Sequence, residues 1–241
     1  MEKKSLKNNK ISKFIPILLI GGIAVIFFIL GFHKYLSFSA IAENRVALVD
    51  WAAQNRMTTI VAYMVGYVVV VALSLPGAVW MSLAGAFIFG IWVNSIVVVF
   101  SATVGASIIF LAARTAFADM ARAKAGGAIA KLEAGFNKNA FNYLLFLRLV
   151  PAFPFWLVNI VPALLGVRLH TFVVATFIGI IPGTVVFSSV GAGLGHVFER
   201  GETPDLKIMF EPQIFIPFIA LALLSLLPVL LNRIKEKKKQ L

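Results

Sequence analysis

The sequence contains no cysteine, and only a small fraction of its side chains are charged. The absence of cysteine excludes disulfide bonds, thiol catalysis and thiolate metal sites. Charged residues make up 13% of the chain, compared with about 25% in a typical soluble domain. The three histidines are scattered and no catalytic motif is present, so we expect neither an enzyme nor a bound cofactor or metal ion.

The sequence contains several long stretches without charged residues. A membrane-spanning helix needs about 20 apolar residues, and a chain with 60% hydrophobic residues offers several stretches of that length. Asp, Glu, Lys and Arg are all absent from residues 14–32, 57–113, 149–167, 169–198 and 212–232. The sequence therefore predicts an all-α, polytopic integral membrane protein.

The basic residues give the chain a formal net charge of +12. Most of them lie in three clusters of five, before residue 14, within 114–138 and after residue 232, and each cluster flanks a hydrophobic stretch. This distribution is typical of cytoplasmic loops in membrane proteins and adds some attraction to anionic lipid headgroups. We expect membrane lipids as partners and no nucleic acid, a plasma-membrane location and cytoplasmic termini; a homo-oligomer is left open.

The hydrophobic pattern divides the chain into four parts. Residues 1–13 are predicted to form a basic cytoplasmic tail, and residues 14–56 a first transmembrane helix with an interfacial segment. Residues 57–200 form the core, and residues 201–241 the last transmembrane helix and a second basic tail. A cleaved signal peptide is the alternative for the first apolar stretch, and a solvated connector for the interfacial segment.

The longest uncharged stretch is too long for two plain spans and too short for three. It contains Pro76, Gly77, Gly85 and Gly90, and proline and glycine are the strongest local breakers of regular structure. We predict break points at these four residues, with a short re-entrant helix near 76–90 between two spans. A tight turn between two spans is the alternative.

A second interruption lies at residues 146–159, where charged and helix-breaking residues occur in an apolar stretch. A charge in hydrocarbon costs about 2.5–3.5 kcal/mol on insertion scales, so it usually faces a partner or a cavity. We predict a broken, re-entrant segment near 149–165 that binds an anionic headgroup through its guanidinium group and free helix end. The predicted headgroup-binding residues are Arg148, Pro151, Pro154 and Asn159.

Arginine at the end of an apolar stretch also has a simpler interpretation. Arg148 would then be the cytoplasmic anchor of its span, with its side chain extended to the membrane surface. We predict this simpler role for Arg114, which follows the longest uncharged stretch.

A weak internal duplication relates the two interruptions. Nine residues beginning at Gly90 align with nine beginning at Gly166, and at this offset of 76 Pro76 falls within one position of Pro151. Paired interruptions at matching positions of two halves are the best sequence indication of a transport site. We therefore predict an inverted-repeat-like arrangement, with Gly166 as a further break point. The number of crossings stays open, because five full spans would place the termini on opposite sides.

Several short elements between about residues 60 and 200 are similar to those of one known family. They are Leu75-Pro76-Gly77, the run from Ala84 to Gly90, Gly105 with Arg114, and the run from Phe146 to Pro151 with Pro154. On these residues the sequence resembles the VTT-domain family, also called the SNARE-associated Golgi protein or DedA-like family, and in particular its Tvp-type bacterial branch.

The resemblance implies two re-entrant segments that meet mid-membrane, and translocation of a phospholipid or polyprenyl phosphate. Arg148 and Pro151 match the family's arginine-x-x-proline element. DedA proteins have a second arginine where this chain has Pro154, and acidic residues in the first re-entrant segment, where residues 57–113 have none. These departures weigh against proton coupling and against a polyprenyl-phosphate substrate.

The leading hypothesis from the sequence is thus a lipid translocator that uses Arg148. A transporter of a small anionic solute, with or without proton coupling, is one alternative. A membrane scaffold without transport activity is the other.

Overall fold

The computed structural model describes residues 14–31, 38–75, 77–123, 135–150, 153–193 and 212–239. Several predictions fall outside these residues: the basic N-terminal tail and the break points at Pro76 and Pro151. Within the described ranges the chain is helical apart from short connections, as predicted for an all-α protein.

The described helices follow the hydrophobic pattern. In chain order they are α1 (Ile15–Ile29), α2 (Phe38–Gln54), α3 (Arg56–Ala72), α4 (Ala78–Phe89), α5 (Ile91–Ala123), α6 (Ala140–Leu149), α7 (Phe155–Leu164), α8 (Leu169–Ala192) and α9 (Pro212–Lys239).

The helices from α3 to α8 form two similar halves. Each half consists of a first helix, a short helix and a long helix: α3, α4 and α5 in the first half, and α6, α7 and α8 in the second. In both halves the first helix packs against the long helix of its own half, whereas the short helix packs most extensively against the long helix of the other half. This exchange of short helices joins the halves into one bundle around α5 and α8.

The turns between short and long helices are also alike. Gly90 connects α4 to α5 with φ of 80°, and Gly166 lies between α7 and α8 with φ of 68°. Side chains rarely adopt positive φ because the Cβ atom collides with the backbone, so glycine is preferred at both positions. The two glycines aligned in the sequence therefore both lie with positive φ between a short and a long helix, which fits the predicted duplication.

The core of the bundle lies where the two long helices cross. The rings of Phe110 on α5 and Phe172 on α8 stack with centroids 4.3 Å apart, and both side chains are fully buried. Small residues on α5, among them Ala106 and Ala113, let the neighbouring helices approach closely.

Two helices are long and apolar enough to cross a bilayer. They are residues 91–116 of α5, with 26 residues, and α8, with 24 residues, compared with the roughly 20 that a span needs. The other apolar helices are shorter, and α1 and α9 expose many large aliphatic side chains. Such surfaces are rare on soluble monomers and suit contact with lipid, as expected for a polytopic membrane protein.

Helix α5 continues to Ala123, beyond Arg114, although its candidate membrane span ends at residue 116. One detail of the sequence prediction is wrong. Gly85 is not a break point, because it lies buried inside α4. There a Cβ atom would overlap the side chains of Tyr63 and Asn94, so Gly85 is a site of close packing.

Candidate functional site

The second interruption of the sequence places an arginine between three helices. Helix α6 ends at Leu149, Val150 is extended, and α7 begins after Pro154, whose φ of −56° and ψ of 129° are not helical. Arg148 lies in the last turn of α6 and packs against Gly179 of α8, where a Cβ atom would come within 2.6 Å of the Arg148 Cβ. The glycine thus lets α6 and α8 approach and directs the arginine towards α7.

The guanidinium group of Arg148 makes two hydrogen bonds to neutral side chains. Its Nη2 donates to Asn159 Oδ1 on α7 at 2.7 Å and to Thr176 Oγ1 on α8 at 2.9 Å. The rings of Phe155 and Phe172 lie 4.9 and 5.3 Å from its central carbon, within the range of cation–π attraction. Asn159 and Thr176 are both fully buried.

The remaining nitrogen atoms of the Arg148 and Asn159 side chains have no hydrogen-bond partner in the described part of the chain. Among the described residues, Arg148 Nε and Nη1 and Asn159 Nδ2 are buried and make no hydrogen bond. No carboxylate of the described chain contacts the guanidinium group, so its charge is not compensated there. A buried charge without a partner is strongly unfavourable, and the three donors without partners make Arg148 and Asn159 a candidate binding site. The alternative of a plain anchor reaching for the membrane surface does not match this buried position.

A cavity of about 720 Å³ opens beside Arg148. Most of its wall is apolar, and its uncharged polar lining comes from Tyr67, Ser74, Ser82 and Thr184. Three aromatic residues on the α7 side, Phe153, Phe155 and Trp156, line the cavity and are also 41%, 39% and 50% exposed at the protein surface. One wall of the cavity is thus part of the outer surface of the bundle.

Ser74 is the polar lining residue with the most unusual backbone. It follows α3 with φ of 54°, the only described non-glycine residue with positive φ. Its amide donates to the Val71 carbonyl, and the Leu75 amide to the Val70 carbonyl, the pattern of a helix end that usually carries glycine. Its hydroxyl oxygen is buried and has no hydrogen-bond partner among the described residues.

A second polar cluster, entirely uncharged, joins the two halves near Asn94 of α5. Asn94 Nδ2 donates to the Ser82 carbonyl oxygen at 2.9 Å and to Ser188 Oγ of α8 at 2.8 Å. The Tyr63 hydroxyl lies 2.9 Å from Asn94 Oδ1, and Ser82 Oγ lies 3.0 Å from the Tyr67 hydroxyl on the cavity wall. Sequence reasoning did not assign Asn94 or Ser188 to any site, although an asparagine inside an apolar span is a signal of helix–helix hydrogen bonding.

Two polar side chains hold the end of α7. Arg114 Nη1 donates to the Val167 carbonyl oxygen at 3.4 Å, and Asn137 Nδ2 to the Leu165 carbonyl oxygen at 2.7 Å. The last carbonyl groups of a helix lack partners within the helix, and these donors satisfy carbonyls just beyond it. Arg114 thus contacts the second half of the protein while its side chain is exposed, and its role as an anchor stays a prediction.

The structure brings two of the predicted headgroup-binding residues together. Arg148 and Asn159 are in direct contact, Pro154 precedes α7 as its cap residue, and Pro151 lies outside the described residues. Of the break points in the first half, Gly77 caps α4 with φ of 151°, and Pro76 is not described. No cluster of potential metal ligands occurs in the described ranges.

The described helices and the arginine without a carboxylate partner define a class of protein: a polytopic α-helical membrane protein built from two similar halves, with a cavity beside the arginine. Residues 75–193 match the model of the VTT domain. This match confirms the resemblance to the VTT-domain family found in the sequence; the branch within the family stays a prediction.

Several curated proteins are similar to the chain. A Dictyostelium discoideum transmembrane protein 41 homologue is 31% identical over 194 residues, 77% of this chain and 55% of the relative. Human transmembrane protein 41B is 27% identical over 184 residues, 75% of this chain and 60% of the relative. The Bacillus subtilis protein YqeD, itself uncharacterised, is 41% identical over 105 residues, 43% of this chain and 49% of the relative. The chain spans about half to three fifths of the length of these relatives, and no solved structure matches it.

Proposed function

We propose that this protein translocates phospholipids across the membrane in which it resides, with Arg148 binding the phosphate of the headgroup. The observation that carries the proposal is the guanidinium group beside the cavity, with Nε and Nη1 buried and unpaired. Guanidinium forms paired hydrogen bonds with phosphate oxygens. A phosphate would satisfy the two free donors and neutralise the charge at the same time.

The surroundings of Arg148 suit a phosphate ester better than a carboxylate of the protein. The existing partners, Asn159 and Thr176, are neutral and occupy only Nη2, so they orient the guanidinium group without cancelling its charge. Helix α7 begins on the same side, with Phe155 in its first turn against the guanidinium group, and the N-terminal end of a helix attracts anions.

The form of the cavity favours a lipid over a free solute. Phe153, Phe155 and Trp156 belong both to its wall and to the outer surface of the bundle. A lipid could then keep its acyl chains in the bilayer while its headgroup passes through the bundle, and the apolar remainder of the lining would tolerate the glycerol backbone. A small anionic solute could use the same donors but gains nothing from an apolar wall that faces the bilayer.

Translocation of this kind needs no covalent step, in line with the expected absence of enzymatic activity. A plasma-membrane location with cytoplasmic termini is part of the proposal.

A reconstitution experiment tests the proposal. The full chain would be placed in phosphatidylcholine vesicles with a trace of headgroup-labelled phospholipid, and exchange between leaflets followed with a membrane-impermeant quencher. We expect Arg148→Met, which keeps much of the side-chain volume, to reduce exchange to the level of protein-free vesicles. Arg148→Lys should retain part of it, because lysine supplies the charge without the planar fork.

Arg168→Ala is the matched control. Arg168 is exposed and lies at the start of α8 in the same half of the protein, so its removal changes the net charge by the same amount and should leave exchange intact. Normal exchange in folded Arg148→Met would refute the proposal. Uptake of a labelled anionic solute into the same vesicles, without lipid exchange, would favour the solute transporter; neither activity would favour the scaffold.

A further inference from the structure

The first interruption of the chain contributes a polar group to the same cavity as the second. Ser74 follows α3 and Arg148 lies at the end of α6, the matching helix of the other half, and both line the cavity. Each has a buried polar atom without a partner among the described residues, the hydroxyl oxygen of Ser74 and the Nε and Nη1 of Arg148. Residues from both halves that carry unpartnered polar atoms thus line one cavity, and those atoms are themselves buried.

We propose that Ser74 and Arg148 form a two-point site for a phosphate ester that carries a hydroxylated, uncharged group, with phosphatidylglycerol as the type of lipid it takes. The inference rests on the proposed function and deepens it: Arg148 binds the phosphate, and Ser74 binds a hydroxyl of the group attached to that phosphate.

The charge of the cavity supports the choice of a net anionic lipid. Among the lining residues described, Arg148 is the single ionisable group apart from the Tyr67 phenol, and none is a carboxylate. A lipid with one net negative charge neutralises the arginine. A zwitterionic lipid brings an ammonium group with no carboxylate to receive it, and leaves the site with its positive charge in a medium where charge is unfavourable.

The backbone of Ser74 supports a role for its side chain in binding. Glycine is the residue that fits a helix end of this conformation without strain, yet the chain places serine there with φ of 54°. Its hydroxyl does not stabilise the fold through any hydrogen bond among the described residues. A hydroxyl both donates and accepts, so it can pair with a polyol hydroxyl, and the nearby Tyr67–Ser82 pair already satisfies itself across 3.0 Å.

The experiment compares four labelled lipids in vesicles that contain the full chain. Phosphatidylglycerol and phosphatidic acid are both anionic, but only the first carries a polyol; phosphatidylethanolamine and phosphatidylcholine are zwitterionic. We expect the wild type to exchange phosphatidylglycerol fastest. Ser74→Gly should lower that rate about fivefold, the equivalent of one hydrogen bond, to the level of phosphatidic acid, whose own rate should not change.

The stability of the variants separates binding from folding. Ser74→Gly relieves the backbone strain and should melt at the same temperature as the wild type or higher, while losing the lipid preference. Ser74→Asn restores a hydrogen-bonding group in a residue that tolerates this backbone and should recover part of the preference. If Ser74→Gly does not fold, Ser74→Ala and Ser74→Asn provide the same comparison.

Two outcomes would overturn the two-point site. One is an unchanged ratio of phosphatidylglycerol to phosphatidic acid exchange in the Ser74 variants; the other is equal exchange of anionic and zwitterionic lipids by the wild type. In either case exchange that still requires Arg148 would leave the proposed function standing. Uptake of labelled glycerol phosphate is measured in the same vesicles. Uptake without lipid exchange would mean that Ser74 and Arg148 bind a soluble phosphate ester and not a lipid.

Discussion

Arg148 and Asn159 face each other across the break between α6 and α7, with the guanidinium Nη2 2.7 Å from the amide oxygen. Arg148 and Asn159 are two of the polar residues that make the apolar stretch 146–159 unusual in the sequence, and the structure places them in contact. Because Asn159 is neutral, it aligns the arginine and leaves its charge available. The identity of this one residue therefore distinguishes a binding site from a closed ion pair.

Asn159→Asp tests that distinction with almost no change in shape. The new carboxylate would pair with Arg148 permanently and compete with an anionic headgroup. We expect lipid exchange to fall tenfold or more, equivalent to about 1.4 kcal/mol, while the protein remains folded. The same exchange assay measures the effect, with Asn159→Gln as the neutral control. Undiminished exchange by the aspartate variant would show that the charge of Arg148 need not be free.

Gly85→Ala tests the packing of α4 against the uncharged polar cluster. A Cβ atom at Gly85 would overlap Asn94 and Tyr63, and overpacking of this kind costs about 1–3 kcal/mol. Thermal unfolding of the detergent-solubilised protein should show a lower melting temperature. Gly22→Ala is the control, because a Cβ atom there meets nothing; alanine in a helix interior should be neutral or favourable. Equal melting of the two variants would contradict the packing described for Gly85.

The hydrogen bond between Asn94 and Ser188 is expected to stabilise the contact between the two halves. Asn94→Ala and Ser188→Ala should each lower stability, since each leaves a buried partner unpaired. The double variant should lose less than the sum, with a coupling of about 0.5–1.5 kcal/mol, typical of one hydrogen bond. Unfolding of all four proteins in denaturant measures the coupling. Strictly additive effects would mean that the two side chains act independently.

Gly90→Ala and Gly166→Ala should have similar effects if the two turns are equivalent. Positive φ costs a non-glycine residue about 1–2 kcal/mol, and a Cβ atom at Gly90 meets nothing else within 4 Å. Both variants should therefore melt below the wild type, by comparable amounts. Stability retained in one variant alone would contradict the equivalence of the halves at this point.

Cysteine labelling tests whether α4 and α7 are re-entrant. These helices have 12 and 10 residues, or roughly 18 and 15 Å at the rise of an α-helix, against about 30 Å of hydrocarbon. Single cysteines would be placed along residues 74–92 and 146–166, and the chain has no native cysteine to remove. We expect an impermeant thiol reagent to reach each segment from one face only, and the two from opposite faces. Labelling of one segment from both faces would mean that it crosses the membrane.

Much of the fold could be predicted from the sequence because it depends on local properties. Hydrophobic runs predicted helices in a membrane, and α3, α4 and the start of α5 follow the predicted segments within a few residues. Gly90 and Gly166 could be placed between helices because positive φ is a property of one residue and its neighbours. Gly85 was assigned wrongly for the opposite reason: its role depends on contacts that a local pattern does not contain.

The sequence by itself determined the membrane class, the two interruptions and the arginine in the second, since hydropathy, proline, glycine and charge act over a few residues. Only the tertiary structure decided that Arg148 meets neutral partners, that Ser74 of the other half shares its cavity, and that Asn94 contacts Ser188, 94 residues along the chain. Uncharged polar residues can serve equally well as packing, as helix contacts or as ligands. Their role depends on which atoms lie within about 3 Å of them, and that follows only from how the two halves exchange their short helices.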